Sequence, residues 1–256
     1  MLSWTPFPFT DAYVYDRVCV AQHWKRLHAG DAEPMPGDDA VLQAWAHFHN
    51  GAFQSAFESG LNLGPAGVTV VNKACCVYAN YLERSEKSRL TLFLETAERA
   101  RMQATIEPLN PAAWYWQAYA LGRYSQGISV AKALAQGLGS KVKTALETAI
   151  KLQPKHADAH IALGTFHAEV IDKVGRLLGK TQGADTATGL KMFQQALKLN
   201  PGSAIAMIEY ANGLVMLEGD KRMAEAEQLY AQAAESEAAD AMERLDVEMA
   251  KAELED

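Results

Sequence analysis

Three histidines pose the first chemical question. His156, His160 and His167 fall within about 40° of one another on a helix wheel, and His156 and His160 stand i, i+4, a spacing that can hold zinc. The third lies seven residues beyond His160, roughly 10 Å along the axis, too far to share that ion. Gly179-Lys180-Thr181 has the end of a phosphate-binding loop, but such a loop needs a glycine where Val174 stands and a strand before it. Nothing around Cys75-Cys76 supplies a C-x-x-C spacing or a cationic pocket. Ser125 has no nucleophile-elbow context. His47 and His49 project to different sides of a helix. No paired carboxylates stand in a credible arrangement. The expectation is a protein without catalytic residues, cofactor or metal.

The chain that carries these residues is 256 long, with 49% apolar and 21% charged side chains, enough for one or two domains with a sizeable core. Alanine occurs 44 times, which favours helix. The net charge is −7, and residues 235–256 carry nine acids against Arg244 and Lys251, so residues 1–234 are neutral overall. Neither part offers the basic stripe that nucleic acid requires, and an anionic membrane surface is disfavoured on the same ground. Three cysteines, two of them adjacent, make no disulfide framework, and a reducing compartment fits better. The opening MLSWTPFPFTDAYVYDRV has no basic and apolar leader pattern. Apolar runs are too short for a membrane span. A cytoplasmic location is the expectation.

Apolar residues recur at three and four along almost the whole chain. The best strand signal is Gly67–Val71, which runs directly into the helix-like NKACCVYANYLE. The first helix is expected from Thr10 or Asp11, with Val14, Val18, Ala21 and Trp24 as its apolar stripe. Ahead of it Trp4-Thr5-Pro6-Phe7-Pro8-Phe9 is extended and aromatic, and its rings need a surface to dock on. Three segments then resemble each other: TIEPLNPAAWYWQAYALGRY, ETAIKLQPKHADAHIALGTF and QQALKLNPGSAIAMIEYANG. Each has an apolar helix end and a proline (Pro111, Pro154, Pro201), then Leu-Gly or Tyr-Ala nine or ten residues on (Leu121-Gly122, Leu163-Gly164, Tyr210-Ala211).

Those residues resemble the tetratricopeptide (TPR) superfamily. The likeness implies an all-α, right-handed solenoid of about five helix pairs with terminal capping helices. Leu163-Gly164 is followed by Phe193, Ala196 and Pro201, and Tyr210-Ala211 by Ala226, Tyr230 and Ala233. Approximate units are 39–62, 68–108, 111–154, 155–201 and 202–235, preceded by an arm and helix over 1–38. An acidic capping helix over 236–256, striped by Ala238, Met242, Leu245, Met249 and Ala252, follows them. His160 and His167 take slots in which such repeats place packing aromatics. Gly122, Gly164 and Ala211 are expected where the second helix of a pair crosses the first. Twenty residues separate Gly122 from Val142 and twenty-five separate Gly164 from Gly189, so the third and fourth units carry long helices or inserts. Units of that kind are similar to those of the regulator of microtubule dynamics family, a likeness carried by Tyr124-Ser125, Ala149–Pro154 and His160–Gly164.

With the Leu of Leu-Gly set at zero on the wheel, the opposite face lines the concave groove in such superhelices. It holds Lys73 and Asn80 in the second unit, and Trp116, Tyr119, Arg123 and Gln126 in the third. In the fourth and fifth units it holds Thr165, Ile208 and Asn212. Polar donors beside aromatic anchors suit a peptide. The expected function is a non-enzymatic scaffold gripping a peptide or protein segment there. The alternative is a small-molecule or lipid-binding adaptor, its pocket roofed by the inserts over 127–140 and 171–189. The partner's identity and the oligomeric state are not encoded legibly.

Overall fold

The computed structural model describes residues 4–10 and 12–255. Among them every regular element is helical, in thirteen α-helices and two short 3-10 turns. The chain forms two compact units. The first comprises Met1–His28, Glu33–Ser129 and Ala239–Met242, and the second Ala29–Ala32, Val130–Ala238 and Glu243–Asp256.

In the first unit α1 is Arg17–Leu27, α2 Asp39–His49, α3 Phe53–Asn62, α4 Val68–Tyr81, α5 Glu86–Ile106 and α6 Pro111–Gln126. Each packs on its neighbour in sequence, and α4 also meets α2 and α6, the mark of hairpins stacked side by side. α1 starts later than expected. Asp16 caps it, its carboxylate accepting from the Cys19 N–H at 2.7 Å. Asp11 lies outside the described residues. The expected stripe also shifts: Val14 and Val18 are 84% and 57% exposed, whereas Val20, Trp24 and Leu27 are buried. The best strand signal is the start of α4, reached through a 3-10 turn at Gly64–Gly67. A Cβ on Gly67 would stand 2.1 Å from the Gly60 carbonyl oxygen, so β-branched Val68, Val70 and Val71 enter helix behind a close backbone contact.

In the second unit α7 is Val130–Ala135, α8 Leu138–Leu152, α9 Ala157–Thr181, α10 Thr186–Leu199, α11 Ala204–Glu218, α12 Met223–Ala234 and, mostly here, α13 Ala241–Glu255. α9 packs on α8, α10 and α11. Phe193 of α10 is fully buried between Gly164 of α9 and Gly213 of α11, with Tyr210 stacked at 5.5 Å. That is the crossing expected at Gly164. Gly122, by contrast, faces open space, and Gly213 is the second small residue the ring needs. The first helix of the long fourth unit, α9, is broken at Gly175 (φ 78°, ψ 162°), while the insert of the third contains α7.

Pro108, Pro154 and Pro201 each follow a helix end, as expected of a residue with no N–H to donate. Pro111 instead opens α6, with Asn110 as its cap accepting from the Ala112 N–H at 3.0 Å. α13 lays Val247 and Ala250 against Ala204, Ile208 and Ala233, with Met249 and Ala238 partly buried beside them. Leu245 of the expected stripe is buried too, so the stripe holds in part. Ala252 is exposed and Met242 only half-buried, while Val247 and Ala250 carry the contact.

Candidate functional site

On α6 the expected face is a run of rings ending in a cation. Trp116 lies 5.5 Å from Tyr119, and the Arg123 guanidinium sits 5.3 Å over the Tyr119 ring. The Arg123 Nη1–H donates to Gln126 Oε1 at 3.3 Å. Tyr119 and Arg123 are half-buried and Gln126 is exposed, but Trp116 is 4% exposed and serves as the foundation of the run. Of the two α4 residues, Asn80 is half-buried. Lys73 is 2% exposed, its ammonium 5.7 Å from the Trp45 ring and 5.2 Å from that of Phe48. The wheel places Lys73 on a face that α2 covers, so it is a packing residue rather than an open clamp.

In the second unit Thr165 and Asn212 are engaged between helices. The Thr165 hydroxyl donates to Glu209 at 3.0 Å, and Asn212 accepts from the Tyr230 hydroxyl at 2.6 Å. Ile208 is 2% exposed because α13 packs over it. Of the nine residues expected to line the groove, Lys73, Trp116 and Ile208 are thus interior.

The three histidines each have structural work. His156 caps α9, its Nδ1 accepting from the Ala159 N–H at 3.2 Å. His160 Nε2–H donates to the Pro154 carbonyl at 3.1 Å. His167 Nδ1 accepts from the Asp185 N–H at 3.1 Å. Burial pushes the pKa of His160 and His167 down, opposed at His160 by the Pro154 carbonyl and reinforced at His167 by Lys143. Among the described residues no group of three or more His, Cys, Asp or Glu side chains is placed to hold a metal ion. Burial pushes the Cys75 thiol up and the Cys76 thiol well up, which removes thiolate at neutral pH despite the Arg99 and Arg123 charges. Gly179-Lys180-Thr181 ends α9 with no strand before it. Of the apolar side chains in the inserts, Leu138, Ile171 and Ala184 are buried, whereas α7 buries none of its residues and Leu177 and Leu178 are 88% and 60% exposed.

Two features escape sequence reasoning. His49 is fully buried, and its Nδ1–H donates to Asp240 at 2.7 Å, across 191 residues of chain. The rings of Tyr15, His28, Trp45 and Phe48 surround it. The Tyr15 hydroxyl donates to the Ala239 carbonyl at 2.7 Å and fastens the same short stretch. His49 sits in a run with Trp45 and Phe48 that marks a buried face, but nothing local announces Asp240. The second is the seat of the N-terminal arm. Trp4 stacks on Tyr78 at 4.1 Å and tilts against Phe57 at 5.1 Å, while Phe7 is buried in the corner between α2 and α3.

Stacked helix pairs, opened by polar caps at Asp38, Asn110, His156 and Ser203 and crossed closely at Gly164 and Gly213, define a TPR-like helical-repeat protein. The chain superposes on the crystal structure of a thermophilic TPR protein of Thermus thermophilus with a TM-score of 0.59 at 15% identity, over 84% of this chain and 98% of that one. At that identity the likeness is one of fold. Two crystal structures of MamA score 0.43 and 0.42 at 14% and 15% identity, over 75% and 86% of this chain and 86% and 99% of theirs. No curated protein sequence matches the chain. The chain belongs to the family of regulator of microtubule dynamics protein 1-3, whose model matches residues 66–255. Among the described residues no helix is long and apolar enough to cross a membrane.

Proposed function

We propose that the chain is a non-enzymatic scaffold that grips an extended segment of a partner protein on the α6 face, through Tyr119, Arg123 and Gln126, with Asn80 as a further polar contact. Thr165 and Asn212 offer polar contacts of their own on the second unit. The observation that carries this reading is the Arg123 guanidinium held over the Tyr119 ring at 5.3 Å. Tyrosine and arginine, here oriented against each other before a ligand arrives, are both enriched at the energetic centres of protein interfaces. Arg123 suits a partner carboxylate or backbone carbonyl, and Tyr119 an apolar side chain. His156, His160 and His167 hydrogen-bond to backbone groups within the second unit, and the Cys76 thiol is fully buried. A reducing, cytoplasmic setting suits the three free cysteines.

The test is capture from a lysate by the immobilised chain, with bound proteins identified by mass spectrometry. Microtubules, which the family's name brings forward, are the first defined bait. Arg123→Glu with Tyr119→Ala is the informative variant, since both side chains are partly exposed and Trp116 is not. Capture lost at unchanged helicity supports the face. Capture unaffected by the double variant overturns it.

A further inference from the structure

The arm of residues 4–9 is seated as a ligand is seated. None of the described residues from 4 to 16 belongs to a helix or strand. Pro6 and Pro8 fix φ near −65° and remove two N–H donors, so the segment is stiff and extended before it touches anything. Its hold is by anchors. The Trp4 ring lies flat on Tyr78, 4.1 Å away and 12° from parallel. The Trp4 N–H donates to Gln54 Oε1 at 2.9 Å, and Gln54 is itself turned by donating Nε2–H to Glu58 at 2.8 Å. Three residues on, Phe7 meets Phe53 edge-on at 6.2 Å and lies against Gly51, where a Cβ would come within 2.5 Å of the ring. The seat is thus two aromatic sockets, a glycine that admits the second ring, and an oriented amide that reads peptide backbone.

A cavity of about 540 Å³, open to solvent, runs beside the arm and is lined by Pro6, Phe7 and Tyr13 and by Asn50 and Phe53 of the α2–α3 corner. The arm is held at its two rings along the edge of this open space. Beyond the cavity the chain is tied down again, where Asn50 exchanges hydrogen bonds with the Tyr15 backbone N–H at 2.7 Å and carbonyl at 2.8 Å. Release of Trp4 and Phe7 therefore leaves the α1 end of the arm fastened.

We propose that the α3–α4 face is a second binding site, for an extended partner peptide that presents two aromatic side chains three residues apart with proline between or beside them, and that residues 4–9 occupy it in cis until such a peptide displaces them. Stacking aromatic grooves on a preformed extended helix is an established way to recognise proline-containing peptides. The tether gives the arm an effective concentration in the millimolar range, so a peptide added in trans meets a site that is empty only a small fraction of the time. This site is separate from the α6 face, and neither reading depends on the other.

The probe is a fluorescein-labelled peptide of residues 3–10, SWTPFPFT, titrated into the full chain and read by anisotropy. Against wild type, Trp4→Ala with Phe7→Ala is expected to bind it at least tenfold more tightly. Adding Tyr78→Ala to that variant is expected to abolish binding, as is replacing the peptide's Trp and both Phe by Ala. Trp4→Ala alone, which keeps Phe7 in its socket, gives an intermediate gain and serves if the double variant melts early. Equal affinity for wild type and a folded arm variant overturns the proposal. Loss of the native helical signal in both arm variants overturns it too, because the arm is then an integral part of the core.

Discussion

Alanine in place of glycine inside a helix ordinarily stabilises it by about 0.5–1 kcal/mol, because glycine costs more backbone entropy on folding. At Gly213 the sign should reverse. A Cβ there stands 2.3 Å from Phe193 Cε2 and 2.7 Å from Cζ, and the ring cannot retreat because Gly164 blocks its other edge, where a Cβ would lie 2.8 Å from Cε1. Phe193 is fully buried and stacked on Tyr210, so relief has to come from separating α9, α10 and α11. Overpacking of this kind costs about 1–3 kcal/mol, and the contact distance puts Gly213→Ala near the upper end. Subtracting the helix gain leaves a net loss of about 2 kcal/mol, or about 4–8 °C in Tm at this chain length. The decisive measurement is a double-mutant cycle by urea unfolding. In a Phe193→Ala background, itself about 3–5 kcal/mol less stable, Gly213→Ala should become stabilising by about 0.5–1 kcal/mol. A stabilising Gly213→Ala in wild type, or the same effect in both backgrounds, refutes the wedge.

Two further outcomes follow from buried polar groups. Asp240→Ala strips the acceptor from the buried Nδ1–H of His49 and should cost about 1–3 kcal/mol, with new protease cleavage around Ala239–Met242; stability within about 0.5 kcal/mol of wild type would show that the pair is idle. The depressed pKa values of His160 and His167 mean that the unfolded chain binds protons first as the medium is acidified. Their contribution is whole above the ordinary value of 6.5 and is lost as pH falls below it, so the urea midpoint should drop between about pH 7.5 and 5.5. His167→Gln should flatten that slope, and an unchanged slope would place the titration elsewhere.

Local signals are legible because they act locally. Helix ends at Pro154 and Pro201, and the crossing at Gly164, follow from a missing donor and a missing Cβ, and both stand in the structure where the repeat pattern puts them. Pro111 falls on the opposite side of its turn from the one the repeat pattern gives it, because Asn110-Pro111 suits a helix start as well as a stop, and only the Asn110 cap decides. Val68–Val71 reads as strand until the Gly60–Gly67 contact is known. The candidate face is legible as a direction on each helix, not as an exposure. Lys73 and Ile208 point where the wheel says, but α2 and α13 are packed there, and no wheel holds a second helix. The arm's need to dock can be read from its aromatic residues and prolines; its seat on Tyr78 and Gly51 cannot. The His49–Asp240 pair joins residues 191 apart, a distance at which pattern reading has no purchase.

Residues 239–242 count with the first unit although the chain on either side of them counts with the second, and Ala29–Ala32 make the reverse exchange, Gly30 accepting from the Asp158 N–H at 3.0 Å. A ribosome releases these stretches in order. The pocket around His49 must wait, aromatic walls assembled and carboxylate missing, until residue 240 has been translated. Nascent chains halted before residue 239 would carry that vacancy, and a chaperone could recognise it as the sign of a molecule still being made.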